Sequence, residues 1–177
     1  MDSIVLGGGC FWCVEAVFQE IKGIQKLQSG YAGGHVPHPS YREVCAETTG
    51  HAEVVKVDFD PAIISLEQIL CIFWHAHDPT TLNRQGHDKG TQYRSIILYK
   101  DEQQRTVAEQ SKEKAEQEQL WKDPIVTEIK ALETFYPAED YHNNYYADHP
   151  QQPYCNIVIA PKVRKVRQEF QDWLKTV

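Results

Sequence analysis

The sequence lacks the features of a membrane-spanning, secreted or nucleic-acid-binding protein. No apolar run approaches the roughly 20 residues that a membrane helix requires. The first residues do not combine a basic segment with a long apolar one, so we expect no secretory signal peptide. Acidic residues outnumber basic ones by 25 to 18, a net charge of −7, whereas nucleic-acid-binding surfaces are usually basic. These absences favour a cytoplasmic protein without a membrane or nucleic-acid partner.

The chain also lacks the even cysteine count of a disulfide framework. It contains five cysteines, and a secreted scaffold normally pairs all of them. In a reducing compartment each cysteine is instead a core residue, a metal ligand or a reactive thiol. The 177 residues correspond to about one domain, which we expect to span residues 1–177. Aromatic residues make up 11% of the chain, enough to exclude a disordered protein.

The hydrophobic pattern predicts strands that alternate with helices. Strands are predicted at 3–6, 53–60, 94–100 and 124–129, and helices from Cys10 to about Lys22, after Ser65, over 101–120 and after Pro161. Residues 30–50, 78–93 and 133–153 are predicted to be long irregular segments, which are often functional. This order indicates an α/β or α+β fold, in which helices pack on a mixed sheet.

Cys10 occupies a position that favours a reactive thiol. It follows three glycines, which allow a ligand to approach the backbone closely, and it opens a predicted helix. The helix dipole and the free N–H groups at such a site lower the pKa of a cysteine, and the thiolate is the nucleophilic form. A cysteine chosen at random is more often a buried structural residue, but this position favours the reactive interpretation.

Cys10 and Cys13 also form a C-x-x-C motif, which is typical of redox and zinc sites. A zinc site needs two more closely spaced ligands, and the other three cysteines are isolated, so we expect no metal. The motif by itself is also compatible with thiol–disulfide exchange of the thioredoxin type. Phe11 and Trp12, which separate the two thiols, are either core residues or the walls of an apolar pocket for a small alkyl group.

Several short segments, spread over residues 4–162, match the motifs of one family. They are GCFW (9–12), GYAGG (30–34), PSYREVC (39–45), TGHAE (49–53), HDPT (77–80), NRQG (83–86) and GTQYRS (90–95). Tyr141, His142 and Tyr145 fit the same pattern. Together these segments resemble the A-type peptide methionine sulfoxide reductases, which repair oxidised methionine.

The resemblance implies roles for individual residues. Cys10 matches the nucleophile, and Phe11 and Trp12 match the wall that receives the S-methyl group of the substrate. Glu53 matches the acid that protonates the sulfoxide oxygen, although a glutamate at the start of a strand is more often a solvated charge. Other positions that match groups near this oxygen are the hydroxyls of Tyr41 and Tyr93 and the carboxylate of Asp88. For these four polar residues only the resemblance carries the role.

The resemblance also implies a two-layer sandwich around a βαβ core, and reduction of the S epimer of methionine sulfoxide, free or in proteins. The sulfoxide sulfur is electrophilic but its oxygen leaves poorly, so reduction needs a thiolate and a proton donor. Glu53 must therefore be protonated, and we expect burial to raise its pKa. Attack releases methionine and leaves a sulfenic acid, which a second thiol converts to a disulfide. Thioredoxin is the implied external reductant, no bound cofactor is implied, and we expect a monomer.

Two residues compete as the second, resolving thiol, and the sequence favours Cys155 slightly over Cys13. Cys155 lies near the position of the resolving thiol in many family members. It leads, however, into residues 157–160, which predict a strand and not the glycine-rich tail of those members. Cys13 is one helical turn from the nucleophile, a separation that a disulfide can span. We expect the remaining cysteines, Cys45 and Cys71, to pack in the interior.

Two other classes stay open at this point. A general thiol–disulfide oxidoreductase would reduce disulfides whether or not Glu53 is present, and a zinc-binding module would hold stoichiometric metal. The scattered histidines His51, His77 and His142 are expected to be surface residues or hydrogen-bonded loop residues.

Overall fold

A six-stranded mixed sheet forms the centre of the computed structural model, which describes residues 1–175. Its strands are β1 (Asp2–Gly7), β2 (Ile24–Ala32), β3 (Ala52–Phe59), β6 (Ile96–Tyr99), β7 (Glu128–Ala131) and β8 (Tyr136–Pro137), and β4 (Arg84–Gln85) with β5 (Asp88–Lys89) forms a separate hairpin. The strand order is β7-β6-β1-β3-β2-β8. Neighbouring strands run antiparallel, except for the parallel pair β6 and β7.

The helices are α1 (Phe11–Phe18), α2 (Tyr41–Cys45), α3 (Leu66–Ala76), α4 (Glu102–Gln117), α5 (Tyr145–Asp148) and α6 (Ala160–Glu169). Capping explains several of their starts. Ser40 and Ser65 each form a capping box with the residue three positions later, and the Asp101 side chain accepts the N–H of Gln104. A π-helical turn, Cys155–Ile159, runs directly into α6.

The unit β1-α1-β2 is a split βαβ motif. Both strands are antiparallel to β3, which lies between them, so β1 and β2 are parallel to each other. With α3 and β6 this gives a βαββαβ order in which the strands lie as β6-β1-β3-β2, a ferredoxin-like arrangement. The predicted mixed sheet around a βαβ core is therefore confirmed.

The helices cover one face of the sheet. Alternate strand residues such as Leu6, Val55 and Val57 pack in one large apolar cluster with residues of α1, α3, α4 and α6. The residues between them, such as Val5 and Val54, face the opposite side and pack with the partly buried Leu132 and Phe135. The result is the expected two-layer sandwich. None of the helices in residues 1–175 combines the length and apolar character needed to cross a bilayer.

Some predicted boundaries are wrong. Helix α1 ends at Phe18 and not near Lys22, because Ile21 pairs with Leu174 and the Lys22 N–H donates to the Trp173 carbonyl at 2.8 Å. The strand predicted at 124–129 begins only at Glu128. Contacts with distant parts of the chain determine these boundaries.

Two further differences concern whole elements. Strand β2 has no predicted counterpart, since its first half is largely polar and exposed, yet it pairs with β3 along its length. Residues 157–160, predicted as a strand, are helical and join the π-helical turn to α6. A short apolar run does not distinguish a strand from one face of a helix.

The glycine loop between β1 and α1 allows a tight backbone course. Gly9 has φ of +92°, and a Cβ there would lie 2.7 Å from the Cγ of Gln85.

We predict that Gly9→Ala lowers the free energy of unfolding by more than the ~1–2 kcal/mol of left-handed strain alone. Gly86→Ala is the matched control, because Gly86 has φ of +59° but no atom lies within 4 Å of the point that its Cβ would occupy. Denaturant unfolding of both variants measures the difference, and equal losses would contradict the clash.

Candidate active site

Cys10 is the residue at which the glycine loop becomes helix α1. Its carbonyl accepts the N–H groups of Cys13 at 3.0 Å and Val14 at 3.4 Å, which starts the helix. Its side chain makes no capping hydrogen bond and is 7% exposed. The thiol therefore lies at the helix start in a largely buried residue.

Glu53, the second residue of β3, is a buried carboxyl group beside this helix start. Its Oε1 accepts the N–H of Phe11 at 3.2 Å, while its Oε2 is buried and has no hydrogen-bond partner within residues 1–175. Burial raises the pKa of Glu53 to about 8, although the Phe11 N–H acts in the opposite direction. Glu53 consequently carries a proton at neutral pH, and the expected rise is confirmed.

The pKa of the Cys10 thiol is raised, whereas its place at a helix start predicted a lowered pKa. Burial raises its pKa, and the neighbouring Cys13 and Glu53 add to that rise. The N–H of Trp12 favours the thiolate, as expected at a helix start, but burial outweighs it. The hydrogen-bonding interaction with Cys10 lowers the pKa of Cys13 to about 7. The two thiols of the C-x-x-C pair therefore titrate together, because their interaction favours one anion in the pair and opposes a second.

Aromatic rings pack against one another at the start of α1, where Phe11 and Trp12 directly follow Cys10. The Phe11 ring lies 4.9 Å from the His142 ring, and the Trp12 ring stacks on Tyr145 with centroids 3.8 Å apart and planes 6° apart. The indole N–H of Trp12 donates to Nδ1 of His142 at 3.1 Å. Burial lowers the pKa of His142, so its ring is neutral and its proton lies on Nε2, which is buried without a partner in residues 1–175.

The two tyrosines implied by the resemblance lie close to Glu53. Tyr41 begins α2, and its N–H donates to Oε2 of Glu139 at 3.1 Å. Burial, and next the charge of Glu53, raise the pKa of both Tyr41 and Tyr93, so their hydroxyls stay protonated. Because they keep their protons, both hydroxyls can act as hydrogen-bond donors.

Asp88 reaches the site through Tyr154. The Tyr154 hydroxyl donates to Oδ2 of Asp88 at 2.5 Å and lies 3.9 Å from the Cys13 sulfur. The charge of Asp88 also contributes to the raised pKa of Glu53, after the larger effect of burial. The structure thus brings Cys10, Cys13, Glu53 and Asp88 into one cluster.

The remaining cysteines occupy different environments. Cys155 is fully buried in the π-helical turn, where its thiol donates to Oε1 of Gln152 at 3.6 Å. Cys45 is half-buried and adjoins Tyr41. Cys71, predicted to pack in the core, is also half-buried, and it lines a cavity of about 240 Å³ between α3 and α4.

The histidines are more buried than expected. His51 and His77 are both hydrogen-bonded, and His77 contacts the Phe73 carbonyl at 2.6 Å and the Ser95 hydroxyl at 2.7 Å. Burial lowers the pKa of His77 to about 3, so this ring is neutral. Within the described part of the chain, no group of three or more histidine, cysteine or acidic side chains could hold a metal ion.

The sequence prediction missed several residues that support the site. Glu15 is buried on α1 and accepts the N–H of Asn144 at 2.6 Å. Glu139 accepts the Tyr31 hydroxyl at 3.0 Å, and Tyr154 links Asp88 to Cys13. An acidic residue among the apolar residues of α1 was a visible signal for Glu15. No local pattern indicates the other two.

The model of the family described as "Peptide methionine sulfoxide reductase" matches residues 2–174. The chain belongs to the peptide methionine sulfoxide reductase family. The curated MsrA of Saccharolobus solfataricus is 55% identical over 175 residues, which cover 99% of this chain and 98% of the relative. The MsrA of Chromobacterium violaceum is 51% identical and covers 99% of both chains.

Solved structures similar to this chain share its fold. Reduced Mxr1 from Saccharomyces cerevisiae is 36% identical, with a TM-score of 0.82 over 87% of this chain and 88% of that one. Methionine sulfoxide reductase A of Corynebacterium diphtheriae is also 36% identical, with a TM-score of 0.76 over 85% and 76% of the two chains. This chain is thus a methionine sulfoxide reductase, an oxidoreductase that restores methionine, and the other two classes left open by its sequence do not apply.

The raised pKa of Glu53 predicts a pH-dependent stability. Between pH 4.5 and about 8 the carboxyl keeps its proton in the folded state but not in the unfolded state. The free energy of unfolding should therefore fall as the pH rises through this window, by up to about 1.4 kcal/mol per pH unit. Glu53→Gln cannot ionise, so its stability relative to the wild type should increase across the window and level off above it.

Denaturant unfolding at several pH values measures this difference. Glu133→Gln, at an exposed position outside the cluster, controls for the removal of one acidic group. A Glu53→Gln difference that is constant from pH 5 to pH 9 would contradict a protonated Glu53 in the folded protein.

Proposed function

We propose that Cys10 is the nucleophile and Glu53 the proton donor of the reduction. The observation that carries this proposal is the buried Oε2 of Glu53, which has no partner within residues 1–175 beside the thiol at the start of α1. A protonated carboxyl group in that position can donate to an oxygen that a ligand brings in. Tyr41 and Tyr93 donate further hydrogen bonds to that oxygen, and the negative charge of Asp88 helps to keep the proton on Glu53.

The proposed step balances as follows. The Cys10 sulfur attacks the sulfoxide sulfur as its thiol proton leaves, and Glu53 transfers its proton to the oxygen. The S–O bond then breaks, and the hydroxyl group is transferred to Cys10 as a sulfenic acid while methionine departs. The proton released by the thiol replaces the one that Glu53 donated. General acid catalysis of this kind contributes about 10²–10⁴-fold to the rate.

The pocket gives this site a handedness. Cys10 approaches the sulfur, Glu53 and the tyrosines hold the oxygen, and Phe11 with Trp12 receives the methyl group. Three fixed directions around a tetrahedral sulfur accept only one of its two epimers. We propose that this is the S epimer, in free methionine sulfoxide and in oxidised proteins, as the family resemblance implies.

The first prediction from this proposal concerns the epimer and the two central groups. The wild type should consume one half of a racemic methionine sulfoxide and leave the R form. Cys10→Ser should abolish turnover, and Glu53→Gln should slow it by about 10²–10⁴-fold while Cys10 still reacts with an alkylating reagent. Chiral chromatography of the remaining sulfoxide measures both. Consumption of both epimers at equal rates, or full activity of Cys10→Ser, would contradict the proposal.

We further propose that Cys13 forms the first disulfide. The hydrogen-bonding interaction with Cys10 lowers the pKa of the Cys13 thiol to about 7, although burial acts in the opposite direction. The sulfenic acid and the Cys13 thiol then give a disulfide and water. Cys155 is held in a helical turn and must move before it can react, which makes it the acceptor of the disulfide in a second exchange.

This order predicts distinct behaviour of two variants after one turnover without reductant. Cys155→Ser should still form a disulfide that contains Cys10, at the rate of the wild type. Cys13→Ser should accumulate sulfenic acid or form its disulfide at least about tenfold more slowly, since the π-helical turn must open first. Rapid quenching, thiol counting and peptide mapping measure both. A wild-type rate in Cys13→Ser together with a loss in Cys155→Ser would assign the first step to Cys155.

Several properties of the working enzyme complete the proposal. The external reductant is thioredoxin, which exchanges its dithiol for the enzyme disulfide, and a solved structure of Mxr1 contains Trx2 as its partner. The five cysteines are all free thiols, which fits a cytoplasmic, reducing location. We propose one catalytic domain over residues 1–177 that acts as a monomer without a bound cofactor.

A further inference from the structure

Residues 139–145 run alongside α1 and carry two of the rings that surround Trp12. Several hydrogen bonds attach this segment to the rest of the fold, and three of them are central here. The Glu139 carboxylate accepts the Tyr31 hydroxyl at 3.0 Å, Asn143 Oδ1 accepts the Ser29 N–H at 2.9 Å, and the Asn144 N–H donates to Glu15 at 2.6 Å. The first two attachments are to β2, and the third is to the same helix that carries Trp12.

Glu15 is an unusual residue at this place. It is 2% exposed on an otherwise apolar helix, and burying a carboxyl group is unfavourable unless it gains hydrogen bonds. It accepts the backbone N–H of Asn144, the residue directly before Tyr145, at 2.6 Å. Asn144 adopts a left-handed conformation with φ of +61°, and the side chain of Gln19 donates to its Oδ1 at 2.7 Å. Glu15 therefore determines the position of the backbone at Asn144, directly before Tyr145.

The position of Tyr145 matters because its ring covers Trp12. The two rings are parallel within 6°, with centroids 3.8 Å apart. Trp12 and Glu15 are three residues apart on α1, so they project from the same side of the helix. Helix α1 thus carries both the Glu15 carboxyl group, which holds the backbone next to Tyr145, and the Trp12 indole, which the Tyr145 ring covers.

We propose that Glu15 is a positioning residue that holds Tyr145 against Trp12 and thereby fixes the width of the methyl pocket. This inference rests on the proposed role of Trp12 as a wall of that pocket. A fixed indole leaves room for a methyl group and excludes a longer alkyl group. If Tyr145 is released, Trp12 gains freedom and the pocket accepts a larger substituent.

The test compares S-methyl and S-ethyl sulfoxides, as methionine sulfoxide and ethionine sulfoxide. One methylene in an apolar pocket is typically worth about 10- to 200-fold in kcat/KM. Glu15→Ala should reduce the methyl preference by about tenfold, mainly through a higher KM for the methyl substrate, and the isosteric Glu15→Gln should lie between it and the wild type. Glu20→Gln removes an acidic group just after α1, from a partly exposed side chain that pairs with Arg167, and should leave the preference unchanged.

A second set of variants in the same test changes Tyr145. Tyr145→Ala should lower the preference as much as Glu15→Ala does, and the double variant should lower it no further, because both changes release the same ring. Additive losses, or an unchanged preference in Glu15→Gln and Tyr145→Ala, would overturn the proposal even if Glu15→Ala does not fold. A wild type that reduces neither sulfoxide would instead refute the proposed function, so the two failures are distinguishable.

Discussion

The hydrogen bond from the Phe11 N–H to the Glu53 carboxyl group is the interaction on which the site depends. It joins the first turn of α1 to the central strand β3 and fixes the carboxyl group beside Cys10. A carboxylate at a helix start would normally be stabilised by several N–H groups, but Glu53 receives this one and is otherwise enclosed. Because one bond does not compensate for lost hydration, the proton stays on Glu53. The enzyme thereby keeps a carboxylic acid at neutral pH.

The same enclosure acts on the thiol. Burial opposes the thiolate of Cys10 as it opposes the carboxylate of Glu53, and a negative charge on Glu53 further disfavours one on Cys10. Cys10 and Glu53 therefore both keep their protons in the unliganded site. In the reaction proposed above, a bound sulfoxide changes this balance, since its oxygen accepts the proton of Glu53 and its sulfur attracts the electron pair of Cys10. On that proposal, charge forms on these two groups only when both reacting atoms of the sulfoxide are present.

The sequence was sufficient for elements whose signals are local. Ser65 with Gln68 starts α3 as the capping box predicts, and the apolar alternation of β3 is confirmed. Strand β2 could not be predicted in this way, because its residues are paired by β3 and not by a pattern of their own. For the site, the motifs named Cys10 and Glu53, but Glu15 acts on a backbone 129 residues away in sequence. A contact between residues so far apart in the sequence produces no periodic pattern from which it could be predicted.

The location of Cys155 links disulfide exchange to the shape of the site. Tyr154 precedes Cys155, and its hydroxyl is bonded to Asp88 and lies against the sulfur of Cys13. A movement that brings Cys155 out of its helical turn therefore displaces Tyr154 as well. That displacement exposes the sulfur of Cys13 and removes one partner of Asp88, so in the proposed exchange the site opens at the stage when the external dithiol enters. While the thiols are reduced, Tyr154 remains bound and the pocket stays enclosed for the sulfoxide.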